Sequence, residues 1–386
     1  MKLSAHPLWL VGFRPFFLLA CLSGASLPIL WALMFTGVLP APEGRFSPLQ
    51  WHAHEMFFGF GWAVLGGFLL TATKNWVQVR GYHGLALVGL AAAWVFERVG
   101  MAFGGTWPAG LFWFSNTVFL GSIVAMLLWT LLRNRQQDSF RDNYFFFLVL
   151  PAFLAAKLLM LDADHFHVGV TMAVGLFRTA FLVMLERTLT QFVKGVFKVD
   201  VLREPRLDAG IKLLAVTLVF QGWMPNALAA PLLLVLSLLL LVRFAFWQPR
   251  LGMTRIELAV MYLGYLAIVA QLLIEFANLL IAPVWVGSVS VHVFTFGVMG
   301  LIIPAMLVRI SKGHTGRKVV FDVGDKLLIW IMLSAFVVRI VLPQLAPEAY
   351  PRWVHLAAGG WFACFAILGV RMLPRLLAPR VDGKEH

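Results

Sequence analysis

The sequence predicts an all-α integral membrane protein, a bundle of about twelve transmembrane helices with both termini cytoplasmic. Three observations carry that expectation. Of 386 residues, 61% are hydrophobic and 13% charged, with a mean hydropathy of +0.85. A soluble domain covers its exterior with charged residues, so this composition excludes one. Apolar runs then follow one another with short loops between them, each near the roughly 20 residues that cross about 30 Å of hydrocarbon. Lysine and arginine, finally, concentrate in alternate loops. In lipid every backbone polar group must be satisfied within its own segment, which makes a helical bundle the sensible class.

The first run, Phe16 to Val38, is long enough to span and is followed by Pro40-Ala41-Pro42, a poor cleavage site. It is read as a retained helix at 16–38, not a signal peptide. Spans follow at 54–73, 84–103, 110–132, 144–161 and 168–193. The next apolar stretch is interrupted at Met224-Pro225-Asn226, and charge divides it in two. Lys194, Lys198, Arg203, Arg206 and Lys212 precede it, while Arg243, Arg250 and Arg255 follow. Both groups belong on the cytoplasmic side, so an even number of spans lies between them. That gives spans at 209–224 and 228–247. The last four run 257–281, 285–310, 325–342 and 352–373. One polytopic domain, 1–386, leaves no room for a separate soluble one.

The same rule orders the remaining loops. Lys74/Arg80, Arg133/Arg135/Arg141 and Arg309/Lys312/Arg317/Lys318 alternate with loops nearly free of basic residues, against only Arg45 and Arg352. Arg371, Arg375, Arg380 and Lys384 hold the C-terminal end inside. The net charge of +13 is therefore a topology signal, the expected partner is the lipid bilayer, and nucleic acid is not expected. Cys21 and Cys364 lie in separate runs and cannot form a cysteine-rich metal cluster. No internal repeat is evident, which disfavours a transporter built from duplicated halves.

Topology places the ten histidines. His52 and His54 open the second span, His165 and His167 precede the sixth, and His355 lies near the start of the twelfth. His292 is about seven residues into the tenth, roughly 10 Å deep at 1.5 Å per residue. These six are outer. His6, His83, His314 and His386 belong to the cytoplasmic side. Glu55, Glu97, Arg98, Lys157, Glu275 and Arg339 also fall in outer halves, with Arg178 near mid-membrane and Glu186-Arg187 in the inner part of the sixth span. Charges inside a span are costly and face a cavity, a partner or a bound ion. The bland alternative is snorkelling with ordinary interhelical pairs.

Neutral imidazole ligates haem iron and suits copper as well. Haem propionates want partners such as Arg98, Lys157 or Arg178. Glu55, Glu97 and Glu275 fit a second shell or a proton relay. Residues two apart on a helix point to nearly opposite faces, so His52 and His54 do not easily share one metal. Gly59, Ala63 and Gly67 form a smooth ridge that suits close helix packing or a flat porphyrin. Asp162-Ala163-Asp164-His165-Phe166-His167 is either a surface copper or zinc site or a polar loop capped by Asp164. No P-loop, serine elbow or cysteine pair points to other chemistry.

Three blocks carry a resemblance to a known family. The first is His6-Pro7-Leu8-Trp9 with Gly12-Phe13-Arg14-Pro15-Phe16-Phe17. The second is Trp51-His52-Ala53-His54-Glu55-Met56 leading to Gly66-Gly67-Phe68-Leu69-Leu70-Thr71. The third runs from His292 through Thr295-Phe296-Gly297-Val298-Met299-Gly300 to Arg309-Ile310-Ser311-Lys312-Gly313-His314-Thr315-Gly316. Pro379-Arg380-Val381-Asp382-Gly383 adds a weaker echo. In these blocks the chain resembles the NnrS family of bacterial membrane proteins. The resemblance implies a twelve-span, haem- and copper-containing protein of the inner membrane, acting in the response to nitric oxide. It makes His6, His52, His54, His292 and His314 the ligand candidates. His165, His167 and His355 are added from depth alone. The chain departs from the family pattern at Thr73-Lys74-Asn75-Trp76 and around Glu186-Arg187-Thr188.

The leading expectation is thus a protein holding haem of the b type, with copper as a second candidate metal and nitric oxide as its small-molecule ligand. His52 or His54 and His292 are the axial ligands, Arg98 or Arg178 meets a propionate, and no electron donor is identified. His6 and His314 either form a second, inner site or clamp a loop by hydrogen bonds. The rivals are a transporter whose buried charges line a path, and a non-catalytic haem sensor or scaffold.

Overall fold

A computed structural model describes residues 6–42 and 44–384. Among these the regular structure is helical. Twelve helices are labelled in chain order: α1 Phe13–Phe35, α2 Pro48–Trp76, α3 Leu85–Phe103, α4 Ala109–Arg133, α5 Phe146–Leu161, α6 Phe166–Phe197, α7 Pro205–Thr217, α8 Asn226–Phe246, α9 Ile256–Leu280, α10 Val289–His314, α11 Val323–Ile340 and α12 Tyr350–Leu377. Eleven of these segments, with their short flanking turns, are long and apolar enough to cross a membrane. The exception is α7, which stops after 13 residues and continues as a 3-10 turn, Leu218–Trp223. The break at Met224-Pro225 lies where the loop charges placed it, with Pro225 capping α8. His386 lies outside the described residues.

Two of the boundaries that move bear on the histidines. The second span begins at Pro48, not at residue 54, because Ser47 and Gln50 form a reciprocal capping box ahead of a proline at the first turn. Trp51 to His54 are therefore already helical. The tenth begins at Val289, so His292 sits within its first turn and is shallower than expected.

The helices group into two compact units. The first holds Met1–Gly169, Leu307–Val320 and Phe365–His386; the second holds Val170–Met306 and Phe321–Cys364. In the first, α1 lies close against α2. A Cβ on Gly12 would stand 2.6 Å from Leu70 Cβ, and one on Gly67 2.8 Å from Phe16 Cβ. Phe13 N–H donates to Thr71 Oγ1 at 2.9 Å, fixing the register of that pair. The indole of Trp62 meets Phe153 edge-on at 4.9 Å, tying α2 to α5. In the second unit, Tyr265 of α9 donates to Leu240 O of α8 at 2.9 Å. Phe296 of α10 packs edge-to-face on Trp361 of α12 at 5.4 Å.

Helices α2 and α10 share an unusual feature. Each opens with a short α-helical segment, passes through seven residues of π-helix, Glu55–Gly61 and Val293–Met299, and resumes as α-helix. A π segment holds one extra residue per turn and frees a carbonyl. In α2 the freed Gly59 carbonyl accepts from Trp94 Nε1 at 2.9 Å.

Candidate functional site

The residues that sequence reasoning singled out fall into four local constellations. In the first unit, α2, α3 and α5 bring together His54, Glu55, Glu97, Arg98 and Lys157. His54 is fully buried, and its Nδ1 lies 3.1 Å from Glu55 Oε1. Glu55 Oε2 meets Arg98 Nε at 3.0 Å. Glu97 Oε1 receives Arg98 Nη2 at 2.5 Å and Lys157 Nζ at 2.6 Å. Two carboxylates thus face two cations, and the set is electrically balanced with a neutral imidazole. Arg98 also lies over the Trp94 ring at 5.2 Å and Lys157 over Phe58 at 5.7 Å.

The imidazole atom left over is Nε2 of His54. It makes no hydrogen bond among the described residues and stands 3.7 Å from Glu97 Oε1. With Nδ1–H donating to Glu55, two lone-pair atoms confront each other there, an arrangement that a cation between or beside them relieves. His52, on the opposite side of the helix, is stacked on Trp31 with centroids 4.3 Å apart and planes 14° from parallel. The smooth ridge is occupied by protein. Gly67 faces Phe16, and a Cβ on Gly59 would lie 2.6 Å from an Arg98 guanidinium nitrogen.

In the second unit, His292 is oriented by its own turn: Nδ1 donates to Ser288 O at 2.7 Å. Its Nε2 accepts from Arg339 Nη2 of α11 at 3.1 Å, and Arg339 rests on the Tyr350 ring at 5.3 Å. His355 is half-buried at the start of α12. Arg178, 1% exposed, begins a polar ladder. Its Nη1 donates to Gln271 Oε1 at 3.0 Å, Gln271 Nε2 to Ser290 Oγ at 3.3 Å, and the Ser290 hydroxyl to Glu275 Oε1. Gln221 donates to the other Glu275 oxygen at 3.4 Å. Arg178 Nε and Nη2 are buried with no acceptor among the described residues.

A third constellation was only half legible. Glu186 was visible inside its span, but its partners were read as loop charges. Arg203 Nη2 and Lys212 Nζ reach Glu186 Oε1 at 3.0 and 3.3 Å. Arg243, 1% exposed, reaches Asp208 at 3.4 Å, donates to Tyr265 Oη at 3.1 Å and stacks on Trp247 at 4.7 Å. The expected span 228–247 already enclosed Arg243, as α8 does by running to Phe246; its pairing with Asp208 left no signal in the sequence. The neutral members of the ladder, Gln271 and Ser290, gave no charge signal at all.

The fourth constellation gathers the family-like blocks at the ends of α1, α2, α10 and α12. Arg14 Nη1 donates to Leu376 O and Ala378 O at 2.7 and 2.8 Å. Arg380 Nη1 donates to His314 O at 3.1 Å, and Val381 N–H to Thr315 O at 3.1 Å. Gly316, at φ +79°, leaves room for Asp382, whose Cγ would stand 2.7 Å from a Cβ there. Asp382 holds Arg380 through two hydrogen bonds of 2.9 and 2.6 Å. That bonding, led by Arg380, holds the Asp382 carboxyl well below the usual carboxylate range. His314 lies 5.5 Å from the Phe13 ring, and His6 Nδ1 accepts from Leu8 N–H as a cap. This is a clamp of backbone carbonyls, in which His314 takes part through its carbonyl.

His165 pairs with Asp162 in an exposed turn, and His167 is exposed beside Phe166. No group of three or more His, Cys, Asp or Glu arranged to hold a metal ion occurs among the described residues.

A family model described as NnrS protein matches residues 7–380, nearly the whole chain. The chain belongs to the NnrS family. Membership of the NnrS family supports a multi-pass membrane protein of the nitric oxide response, the role that the resemblance implied. No curated protein matches it.

Proposed function

We propose that this NnrS protein binds haem in the bacterial inner membrane, with copper as a second metal, and acts on nitric oxide by redox chemistry. The observation that carries the proposal is the state of two imidazoles. Both His54 and His292 have Nδ1 tied to an oxygen, one to a carboxylate and one to a carbonyl. Such partners fix the tautomer and leave the lone pair on Nε2, which is how ligating histidines are prepared; that of His54 meets no donor among the described residues, and that of His292 is held by Arg339, which a metal would have to displace. The donor set therefore fits an iron or copper centre. Haem iron, when bound, supplies the site where nitric oxide is coordinated and electrons are exchanged.

The chain's own residues do the rest. His54 and His292 offer Nε2 as ligand atoms. Arg178 offers two buried N–H groups that lack acceptors, and a carboxylate such as a propionate answers them. Arg98 is less suited, because Glu55 and Glu97 already match it. Glu275 sits at the half-buried end of the ladder, where its carboxylate is the group that could hold or release a proton. The test is the optical spectrum of purified protein. A Soret band that moves on reduction and again on nitric oxide supports the proposal, with His83→Ala unchanged, since His83 is exposed and bonded only to Gly81 O. A colourless, metal-free preparation active in uptake gives the protein to the transporter reading instead.

A further inference from the structure

The order of the helices contains a pattern that the sequence concealed. The third helices of successive groups of four start at Leu85, Pro205 and Val323, steps of 120 and 118 residues. The second helices start at Pro48, Phe166 and Val289, steps of 118 and 123. The fourth segments start at Ala109, Asn226 and Pro347, steps of 117 and 121. The first are less regular, at Phe13, Asn143 and Ile256. Burial follows the same period. The three most buried spans are the three second helices, with 72%, 67% and 89% of their apolar windows inside the protein.

Side chains confirm the register. Phe58, Phe177 and Phe296 lie at even steps of 119 residues on the three second helices. The π segments Glu55–Gly61 and Val293–Met299 are 238 residues apart, twice that step, and each begins directly after a histidine. Each also presents a glycine to the third helix of its own group. A Cβ on Gly59 would meet residue 98, and one on Gly297 would meet Phe336, again 238 residues on. The shared motif is short, His-x-x-x-Phe-Gly, read in His54 to Gly59 and His292 to Gly297.

We infer that the chain is three tandem copies of a four-helix unit of about 119 residues, and that His54 and His292 are one position in the first and third copies, so that these two, and not His52, are its ligand positions. The ligand assignment rests on the proposed haem function; the repeat does not. Both imidazoles stand where the α-helix gives way to π-helix, with Nδ1 held locally. Both aim Nε2 at a charged group of the third helix, Glu97 in the first copy and Arg339 in the third. His52, two residues earlier, points away and is stacked on Trp31. The middle copy has lost the site. Ala173 stands at the histidine position, Arg178 at the glycine position, and α6 runs as one α-helix without a π turn. Each copy begins four helices after the one before it. This inference departs from the expectation of no internal repeat and would remove its weight against a transporter.

The test measures haem per protein, from the Soret band and pyridine haemochrome, in full-length protein and in His52→Gly, His54→Gly and His292→Gly. The expected result is that His54→Gly and His292→Gly each lose at least half of the haem while His52→Gly keeps it. Imidazole added to the two depleted variants restores the band, which a purely structural role or a folding defect does not allow. Retention of haem in His54→Gly with loss in His52→Gly overturns the inference while leaving the haem function standing. A colourless wild type overturns the ligand assignment together with that function.

Discussion

Glu97 is the residue on which the first constellation should fail most sharply. It is fully buried and touches Lys157 Nζ at 2.6 Å and Arg98 Nη2 at 2.5 Å. At an effective dielectric of about 20, a pair at that separation attracts by about 6 kcal/mol gross, most of which offsets the desolvation of the two ions. The net value of the pair is small, but breaking it is not. Glu97→Gln keeps the shape and leaves two cations facing Glu55 alone, an excess of one buried positive charge. A buried charge so abandoned costs about 3–5 kcal/mol. Lys157→Met leaves the opposite excess and should cost a similar amount. The double variant restores neutrality, retains the Glu55–Arg98 pair at 3.0 Å, and should lie within about 1–2 kcal/mol of wild type. Denaturant unfolding in detergent, followed by size-exclusion recovery, gives all three values for a double-mutant cycle. If the two single costs simply add in the double variant, the charge accounting is wrong.

Further predictions concern the other constellations. Gly316→Ala places a Cβ at φ +79° against Asp382 and should destabilise by about 1–3 kcal/mol, seen as faster proteolysis of the C-terminal tail. The Arg380–Asp382 bond gives a pH expectation. Because the folded carboxyl titrates below its ordinary range, its contribution is complete above the unfolded value of about 3.9 and fades only as pH falls through the folded one. Hydrogen exchange at residues 380–384, corrected for intrinsic rate, should therefore be flat from about pH 5 to 8 and rise only in acid. Arg178→Gln removes an unmatched charge and keeps the bond to Gln271 in range. It should lower haem content while raising thermal stability of the haem-free protein, and a fall in both would refute the anion-holding role.

Hydropathy and loop charge located the helices and the Met224-Pro225 break, because lipid imposes both length and charge rules on the chain. Caps were missed where a proline obscured them, as at Ser47-Pro48, and this shifted His52 and His54 into the helix. The expected span 228–247 enclosed Arg243, but charge counting could not show that it pairs with Asp208 inside the bundle. The repeat escaped because lipid-facing helices need only be apolar, so three copies can diverge in almost every residue and still keep helix length, burial and one phenylalanine. The turn cap made by His6 was equally hidden, since a ring that caps a turn and a ring that ligates a metal look alike in a sequence.

Charge accounting separates the two histidine positions more firmly than their shared motif joins them. Around His54, two acids and two bases cancel, so the surroundings offer a metal centre a neutral imidazole in a carboxylate-rich setting. Around His292, Arg339 is 9% exposed and has no carboxylate partner among the described residues. Arg178 has one neutral partner and reaches Glu275 only through Gln271 and Ser290. Positive charge left unanswered in a low-dielectric interior is expensive unless an anion completes it. The second unit thus holds guanidinium groups with no direct carboxylate partner among the described residues, and the first holds a buried imidazole nitrogen beside a carboxylate. A transporter path has no reason to keep a histidine nitrogen buried and without a hydrogen bond, whereas a metal ligand has every reason to. That single nitrogen, Nε2 of His54, is where the two accounts of the protein part.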